Sequence, residues 1–98
     1  MPHVRLSARS QSDLSRLHTF LASQDINAAK RAMLAIRESF TRLTFAPLIG
    51  RPVEDSDDLR ELVIDFGASG YLALYKFESA LDTVTILTIK HQREDDYK

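Results

Sequence analysis

Side chains with useful chemistry are concentrated near the C-terminus of this 98-residue chain, at Lys90, His91, Arg93 and Tyr97. Histidine gives and takes protons near neutral pH, lysine and arginine hold phosphate, and tyrosine stacks on nucleobases. Cleavage of RNA by attack of a 2′-hydroxyl requires proton transfer at two oxygens and positive charge beside the phosphorus. The four residues, with Arg60 as a further cation, are therefore candidates for such a centre. His91 can equally be a strand-end histidine that is hydrogen-bonded to the backbone.

The elements that must position these residues are short strands in succession. Leu59–Phe66 alternates apolar with charged side chains, which is the period of a half-buried strand. Residues 71–77 are rich in aromatics and residues 83–89 are largely β-branched, as is typical of strands. The connections at 67–70, with two glycines able to take positive φ, and at 79–82 are too short for a parallel crossover. The sequence therefore predicts a three-stranded antiparallel meander whose polar tail leaves the last strand at one edge of the sheet.

The N-terminal half of the chain predicts one strand followed by a helix. His3–Leu6 alternates polar with apolar residues, as a short strand does. Ser10 is the candidate N-cap of the helix, with Asp13 near its positive end, and the helix is expected to end near residues 23–25. Asn27 is the candidate N-cap of a second helix. The spacing predicts that one face of the first helix is buried, and this face comprises Leu14, Leu17, His18 and Leu21. His18 is interpreted as a packed or boundary histidine.

The second helix has a long apolar stripe and a basic face. Small residues near its start allow close approach of the first helix, so that the two helices form an antiparallel hairpin. The cations Lys30, Arg31, Arg37 and Arg42 lie largely off the stripe. Such a face is most often solvated, but it can also form a local surface for an anionic ligand. The stripe itself comprises Ala29, Ala32, Met33, Ile36, Phe40 and Leu43.

Length and composition indicate a single domain that spans residues 1–98. The hydrophobic fraction of 44% and the charged fraction of 28% are those of an ordinary globular protein. No apolar run is long enough for a membrane span, and the absence of cysteine excludes disulfides and suits a reducing cytoplasm. A net charge of −1 provides no global field for nucleic acid. The element order predicts an α+β fold: an N-terminal strand, an α-helical hairpin and the meander, with the hairpin packed on one face of the sheet.

No metal or cofactor is expected. Residues 54–58 contain four carboxylates, but they lack the regular alternation and the terminal glutamate of a calcium loop. A solvated loop is the better interpretation. The three histidines are scattered without the spacing of metal ligands.

The ordered pattern of the whole chain resembles the RelE/ParE superfamily, the toxins of type II toxin–antitoxin pairs. In that family a helical hairpin lies against a twisted antiparallel sheet, which agrees with the fold that periodicity predicts. The resemblance covers nearly the whole chain and rests on these segments: Ser12-Asp13-Leu14, Ala28-Ala29, the passage Leu43…Pro47…Gly50-Arg51-Pro52, Leu59-Arg60-Glu61-Leu62, Gly70-Tyr71-Leu72-Ala73-Leu74-Tyr75, and His91-Gln92-Arg93-Glu94.

The resemblance implies two different activities on one fold. RelE-like members cut messenger RNA in the ribosome, and ParE-like members poison DNA gyrase without nuclease chemistry of their own. Members of both kinds are silenced by a co-expressed antitoxin whose disordered segment folds along the toxin. The resemblance therefore implies an antitoxin partner and a heterotetramer or larger toxin–antitoxin complex.

Two departures from the RelE-like pattern favour the ParE branch. RelE-like nucleases commonly carry an arginine immediately after the Gly-Tyr of the middle strand, and this chain has Leu72 there. The lysine-rich segment that helps such toxins dock in the ribosome is replaced by the acidic residues 54–58. Loss of a positioned cation at a transferring phosphate costs orders of magnitude in rate.

The resemblance and these departures together predict a ParE-like toxin that inhibits growth by poisoning DNA gyrase. Such a toxin is neutralised by a ParD-like antitoxin, and the resemblance implies plasmid stabilisation as a role of the family. The alternatives are a RelE-like ribosome-dependent endonuclease that uses His91, Arg93 and Tyr97, and a degenerate toxin that acts only through antitoxin binding.

Overall fold

A computed structural model describes residues 1–92 of the chain as a helical hairpin packed on one face of a five-stranded mixed sheet. This confirms the predicted α+β fold. The strand order is β1-β5-β4-β3-β2, with β1 parallel to β5 and the other pairs antiparallel. The elements are β1 (His3–Leu6), α1 (Ala8–Gln24), α2 (Ile26–Leu43), β2 (Arg51–Pro52), β3 (Leu59–Phe66), β4 (Ser69–Glu78) and β5 (Thr83–His91).

The core lies between α2, the middle of α1 and the inner face of the sheet. In the apolar stripe of α2, four residues are buried, while Met33 and Phe40 are half-buried. In α1, Leu17 is buried but His18 is exposed, so of the two interpretations of His18, packed or boundary, the packed one is wrong. The buried stripe residues of α2 are Ala29, Ala32, Ile36 and Leu43.

The observed N-caps lie three residues before the predicted cap of the first helix and two residues before that of the second. Ser7 has extended backbone and its side chain accepts from the N–H of Ser10 at 3.1 Å, so Ser7 is the N-cap and Ser10 is a buried residue of the first turn. Asp25 likewise accepts from the N–H groups of Asn27 and Ala28 and caps α2. A cap must combine extended dihedrals with a side-chain acceptor two or three residues before its donors, and neither Ser10 nor Asn27 meets both conditions.

The last strand of the meander lies inside the sheet, contrary to the predicted edge position. β1 pairs with the first half of β5, from His3 opposite Thr83 to Leu6 opposite Ile86. The helical hairpin supplies the long connection that parallel neighbours require. The polar tail beyond Gln92 lies outside the described residues.

Beyond Ile86, α1 takes the place of β1 along the side of β5. The hydroxyl of Ser7 donates to the carbonyl of Leu87 at 2.8 Å. The carboxylate of Asp13 accepts from the hydroxyl of Thr88 at 2.7 Å and from the N–H of Ile89 at 2.9 Å. The side chains of the N-cap Ser7 and of Asp13 in α1 therefore satisfy backbone groups of β5 that a longer β1 would otherwise pair, because buried backbone groups need a partner.

Replacement of Asp13 by alanine should lower the free energy of unfolding by about 1–3 kcal/mol, because the N–H of Ile89 and the hydroxyl of Thr88 lose their acceptor. Asp13→Asn keeps an acceptor oxygen and should lose less. Urea denaturation followed by circular dichroism measures both losses. Equal losses in the two variants would show that the carboxylate charge, rather than the acceptor, stabilises this contact.

Candidate functional site

His91, at the end of β5, lies in a pocket between α1 and the β3–β4 turn. The pocket has a volume of about 580 Å³. The imidazole Nε2 is 3.1 Å from the hydroxyl of Ser69, and the ring stands edge-on to Tyr71 with centroids 5.5 Å apart. Leu17 and Phe20 of α1 also line the pocket. An imidazole beside a hydroxyl can move a proton, but the surrounding walls are largely apolar.

Lys90 and the neighbouring Leu72 lie on the opposite face of the sheet from His91. Tyr71 pairs with His91 and faces the helical core, whereas Leu72 pairs with Lys90. Successive residues of a strand point to opposite faces. The amine of Lys90 is therefore separated from the imidazole of His91 by the thickness of the sheet. Leu72, which follows Gly70 and Tyr71 in β4, is half-buried on this face.

Arg60 holds the loop that connects α2 to β2. Its guanidinium donates to the carbonyl of Gly50 at 2.8 Å and to that of Leu48 at 3.1 Å. The neighbouring Glu61 accepts from Nε of Arg51 at 3.0 Å, which joins β2 to β3. Hydrogen bonds of Arg60 to two carbonyls leave fewer of its donors for a phosphate.

Tyr75 fixes the same loop from inside the core. Its buried hydroxyl donates to the carbonyl of Pro47 at 2.8 Å and accepts from the N–H of Gly50 at 2.9 Å. Burial raises the pKa of Tyr75 above its ordinary value, and the Gly50 hydrogen bond and the charge of Arg60 oppose this rise. Burial also raises the pKa of Tyr71. Both phenols therefore hold their protons more tightly in the folded chain.

Stability should fall as the pH rises above about 10, the ordinary tyrosine pKa. The unfolded chain releases these phenol protons there, whereas the folded chain releases them only at a higher pH. The stabilisation that accompanies the raised pKa values of the two tyrosines is complete below the tyrosine pKa of the unfolded chain. It is lost as the pH rises through the tyrosine pKa values of the folded chain. Urea denaturation at a series of alkaline pH values measures the slope, and Tyr75→Phe should reduce it. An unchanged slope in Tyr75→Phe would contradict the assignment.

The predicted catalytic residues within the described part of the chain, Arg60, Lys90 and His91, do not lie together in the structure. Arg60 pairs with Tyr75, four positions along β4 from the row that contains His91, a separation of about 13 Å along the strand. Lys90 faces away from both. The predictions for Arg93 and Tyr97 lie outside the described residues.

No metal centre is present among residues 1–92, where no three histidine or acidic side chains lie close enough together to bind an ion. In the same part of the chain, no helix is long and apolar enough to cross a membrane.

Comparison with known proteins decides the family. The family model described as "ParE toxin of type II toxin-antitoxin system, parDE" matches residues 4–96. The chain belongs to the ParE toxin family. The protein named Toxin RelE3 of Caulobacter vibrioides is 34% identical over 94 residues, which cover 96% of this chain and 98% of that protein.

Solved toxins share the fold of this ParE-family chain. A chain of the chromosomal ParDE system of P. aeruginosa aligns with a TM-score of 0.75 and 19% identity over 93% of this chain and 96% of that one. A chain of the toxin–antitoxin complex RelBE2 of Mycobacterium tuberculosis aligns with a TM-score of 0.69 and 24% identity, covering 94% of this chain and 100% of that one. These likenesses confirm the architecture.

Sequence reasoning missed the residues that surround His91 in this ParE-family chain. Ser69 was assigned to a turn, and Arg16, which lines the same pocket, had no predicted role. The pairing of β4 with β5 brings Ser69 beside His91, and only knowledge of the register could have indicated it. Arg16 comes from α1, and no local sequence signal links that helix to the β3–β4 turn.

Proposed function

We propose that this toxin acts in the manner of ParE, through protein contacts on DNA gyrase rather than by cutting RNA. One observation carries the proposal: the described candidates for RNA cleavage do not converge. Lys90 and His91 lie on opposite faces of the sheet, and Arg60 is bonded to loop carbonyls. Acid–base cleavage requires its groups within hydrogen-bond reach of one phosphate. A gyrase inhibitor that acts by contact needs no such convergence.

A cognate antitoxin of the ParD type is the second part of the proposal. The similar chain of M. tuberculosis was solved in a toxin–antitoxin complex, and exposed apolar side chains on this chain offer a surface for such a partner. They include Phe20, Leu34 and Ile26, each more than half exposed. A heterotetramer or larger complex in the cytoplasm, where gyrase works, completes the proposed assembly.

A ribosome-dependent endonuclease is the second candidate function. The name of the similar protein Toxin RelE3 favours it, because RelE-like toxins are the ribosome-dependent branch. His91 would then act in proton transfer with Arg93 and Tyr97. The half-buried Leu72 in place of a phosphate-binding arginine weighs against this activity.

Gyrase supercoiling with purified toxin tests the proposal, with antitoxin added in a parallel reaction. We expect inhibition or trapped cleaved DNA, reversed by the antitoxin, and no cleavage of ribosome-bound messenger RNA. His91→Gln, which can still hydrogen-bond Ser69 but cannot transfer protons near neutral pH, should inhibit growth as strongly as the wild type.

A nuclease would behave differently in both assays. Loss of a general acid or base costs about 10²–10⁴-fold in rate, so His91→Gln would relieve growth inhibition. The proposal would be overturned in favour of the endonuclease if gyrase kept full activity at excess toxin and if the wild type, but not His91→Gln, cleaved RNA.

A further inference from the structure

The loop between α2 and β2, residues 44–50, displays three large apolar side chains to solvent. Phe45 is 72% exposed, Leu48 is 57% exposed and Ile49 is 52% exposed. None of the three belongs to the core between the helical hairpin and the sheet. Single exposed apolar side chains are ordinary, but a group of them is typical of an interaction site. Three within five residues make this α2–β2 loop a candidate contact surface.

The backbone of the α2–β2 loop is held from inside the domain. The hydroxyl of Tyr75 bridges the carbonyl of Pro47 and the N–H of Gly50. The guanidinium of Arg60 donates to the carbonyls of Leu48 and Gly50. A Cβ added to Gly50 would lie 2.6 Å from the ring of Tyr75, so the loop fits closely on that ring. The loop is therefore ordered before a partner binds, and docking does not cost the entropy of fixing it.

A second copy of this chain is a poor occupant of this surface. The three side chains expose an area on the order of 300 Å², whereas a stable interface buries about 800 Å² on each partner. Contact of one loop with the same loop of another copy would fall short of that area. The same three side chains suffice as anchors, because a few residues that fill a pocket carry most of the binding energy of an interface.

The order of the loop favours a folded partner over the antitoxin. Exposed side chains on an ordered backbone fit a pocket that already exists on the other protein. A disordered segment, which folds only on binding, has no such pocket beforehand. The loop therefore suits the cellular target of the toxin.

The charge of the α2–β2 loop and its flanks fits a target that holds DNA. Residues 39–53 contain Arg42 and Arg51 and no acidic residue. Phosphates of DNA attract arginine and repel carboxylates. Because gyrase works on bound DNA, this part of the chain meets no like-charge repulsion when it approaches a gyrase surface beside that DNA.

We propose that Phe45, Leu48 and Ile49 are anchors that enter an apolar pocket of DNA gyrase beside its bound DNA. This inference rests on the proposed function and adds the surface of the toxin that contacts gyrase. Removal of one anchor should therefore weaken gyrase inhibition and leave antitoxin binding intact.

Phe45→Ser and Leu81→Ser form a matched pair of variants. Each replaces an exposed large apolar side chain by the same small polar one, and Leu81, which is 66% exposed, belongs to the β4–β5 connection. The assay is supercoiling by purified gyrase at a series of toxin concentrations. Phe45→Ser should raise the concentration for half-inhibition at least about tenfold, with Leu81→Ser near the wild type. Leu48→Ser repeats the test at a second anchor.

Antitoxin binding separates the possible outcomes. The polypeptide encoded by the reading frame adjacent to this toxin, titrated by calorimetry, should bind both loop variants as tightly as the wild type, which an unfolded variant could not do. Wild-type gyrase inhibition by both loop variants would overturn the loop and leave the proposed function intact. Loss of antitoxin binding, with or without loss of gyrase inhibition, would also overturn the inference. Absence of gyrase inhibition by the wild-type chain would overturn the proposed function itself.

Discussion

Substitution of Gly70 by alanine should destabilise the chain by more than about 4 kcal/mol, a loss that single mutations reach only exceptionally. A Cβ at this position would lie 2.0 Å from the carbonyl oxygen of Ile64 and 3.0 Å from the backbone nitrogen of Phe66. These atoms belong to the paired backbone of β3, which cannot move without breaking its hydrogen bonds to β4. Since small domains have about 5–15 kcal/mol of stability in total, the variant should show little or no cooperative unfolding transition.

Gly67→Ala is the control for this prediction, because it makes the same chemical change three residues earlier. Gly67 has a φ of 63° and no heavy atom lies within 4 Å of an added Cβ. Alanine at this position would therefore have no steric clash, and its only cost would be the strain of a positive φ. The expected cost is about 1–2 kcal/mol. Urea denaturation followed by circular dichroism measures both variants. Equal losses would show that the β3–β4 hairpin relaxes around the new methyl group.

The sequence predicted the meander and the helical hairpin because each depends on local periodicity. It allowed positive φ at both glycines of the β3–β4 connection. Gly67 alone among the described glycines has a positive φ, whereas Gly70 is required because an added Cβ would clash with the backbone of β3. Only the assembled hairpin brings the carbonyl of Ile64 beside residue 70. Steric requirements of this kind depend on register, which the turn residues did not reveal.

The parallel pairing of β1 with β5 could not be predicted, because nothing in a four-residue strand indicates a partner eighty residues away. The hydrogen bonds of Asp13 depend on the position of α1 beside β5, which is equally distant in sequence, so Asp13 was interpreted as a charge at the helix terminus.

Part of the candidate site was accessible from the sequence. The alternation of a strand already separates Lys90 from His91, and that rule alone weakens a shared catalytic centre. The hydrogen bonds of Arg60 to Gly50 and Leu48 were not accessible, because the loop after α2 has no regular pattern. The basic residues of α2 were interpreted as solvated or as an anionic-ligand surface, and in the structure all four, Lys30, Arg31, Arg37 and Arg42, are exposed.

Saturation with the antitoxin should raise the melting temperature of this chain by about 16 °C or more. A ligand at a thousand times its Kd stabilises the folded state by about 4.1 kcal/mol, and 1 kcal/mol raises the melting temperature of a domain of this size by about 4–8 °C.

The physical reason for this stabilisation is the apolar surface that the free chain leaves in water. Phe20 is 60% exposed and Leu34 is 52% exposed, and full burial of such a side chain contributes about 1.5–3 kcal/mol. Differential scanning calorimetry of the chain alone and of the purified complex measures the shift. The matched control is an antitoxin truncated before its toxin-binding segment, which should leave the melting temperature unchanged. If the full antitoxin also left it unchanged, this surface would not be an antitoxin interface, and the partner proposed for this toxin would have to be abandoned.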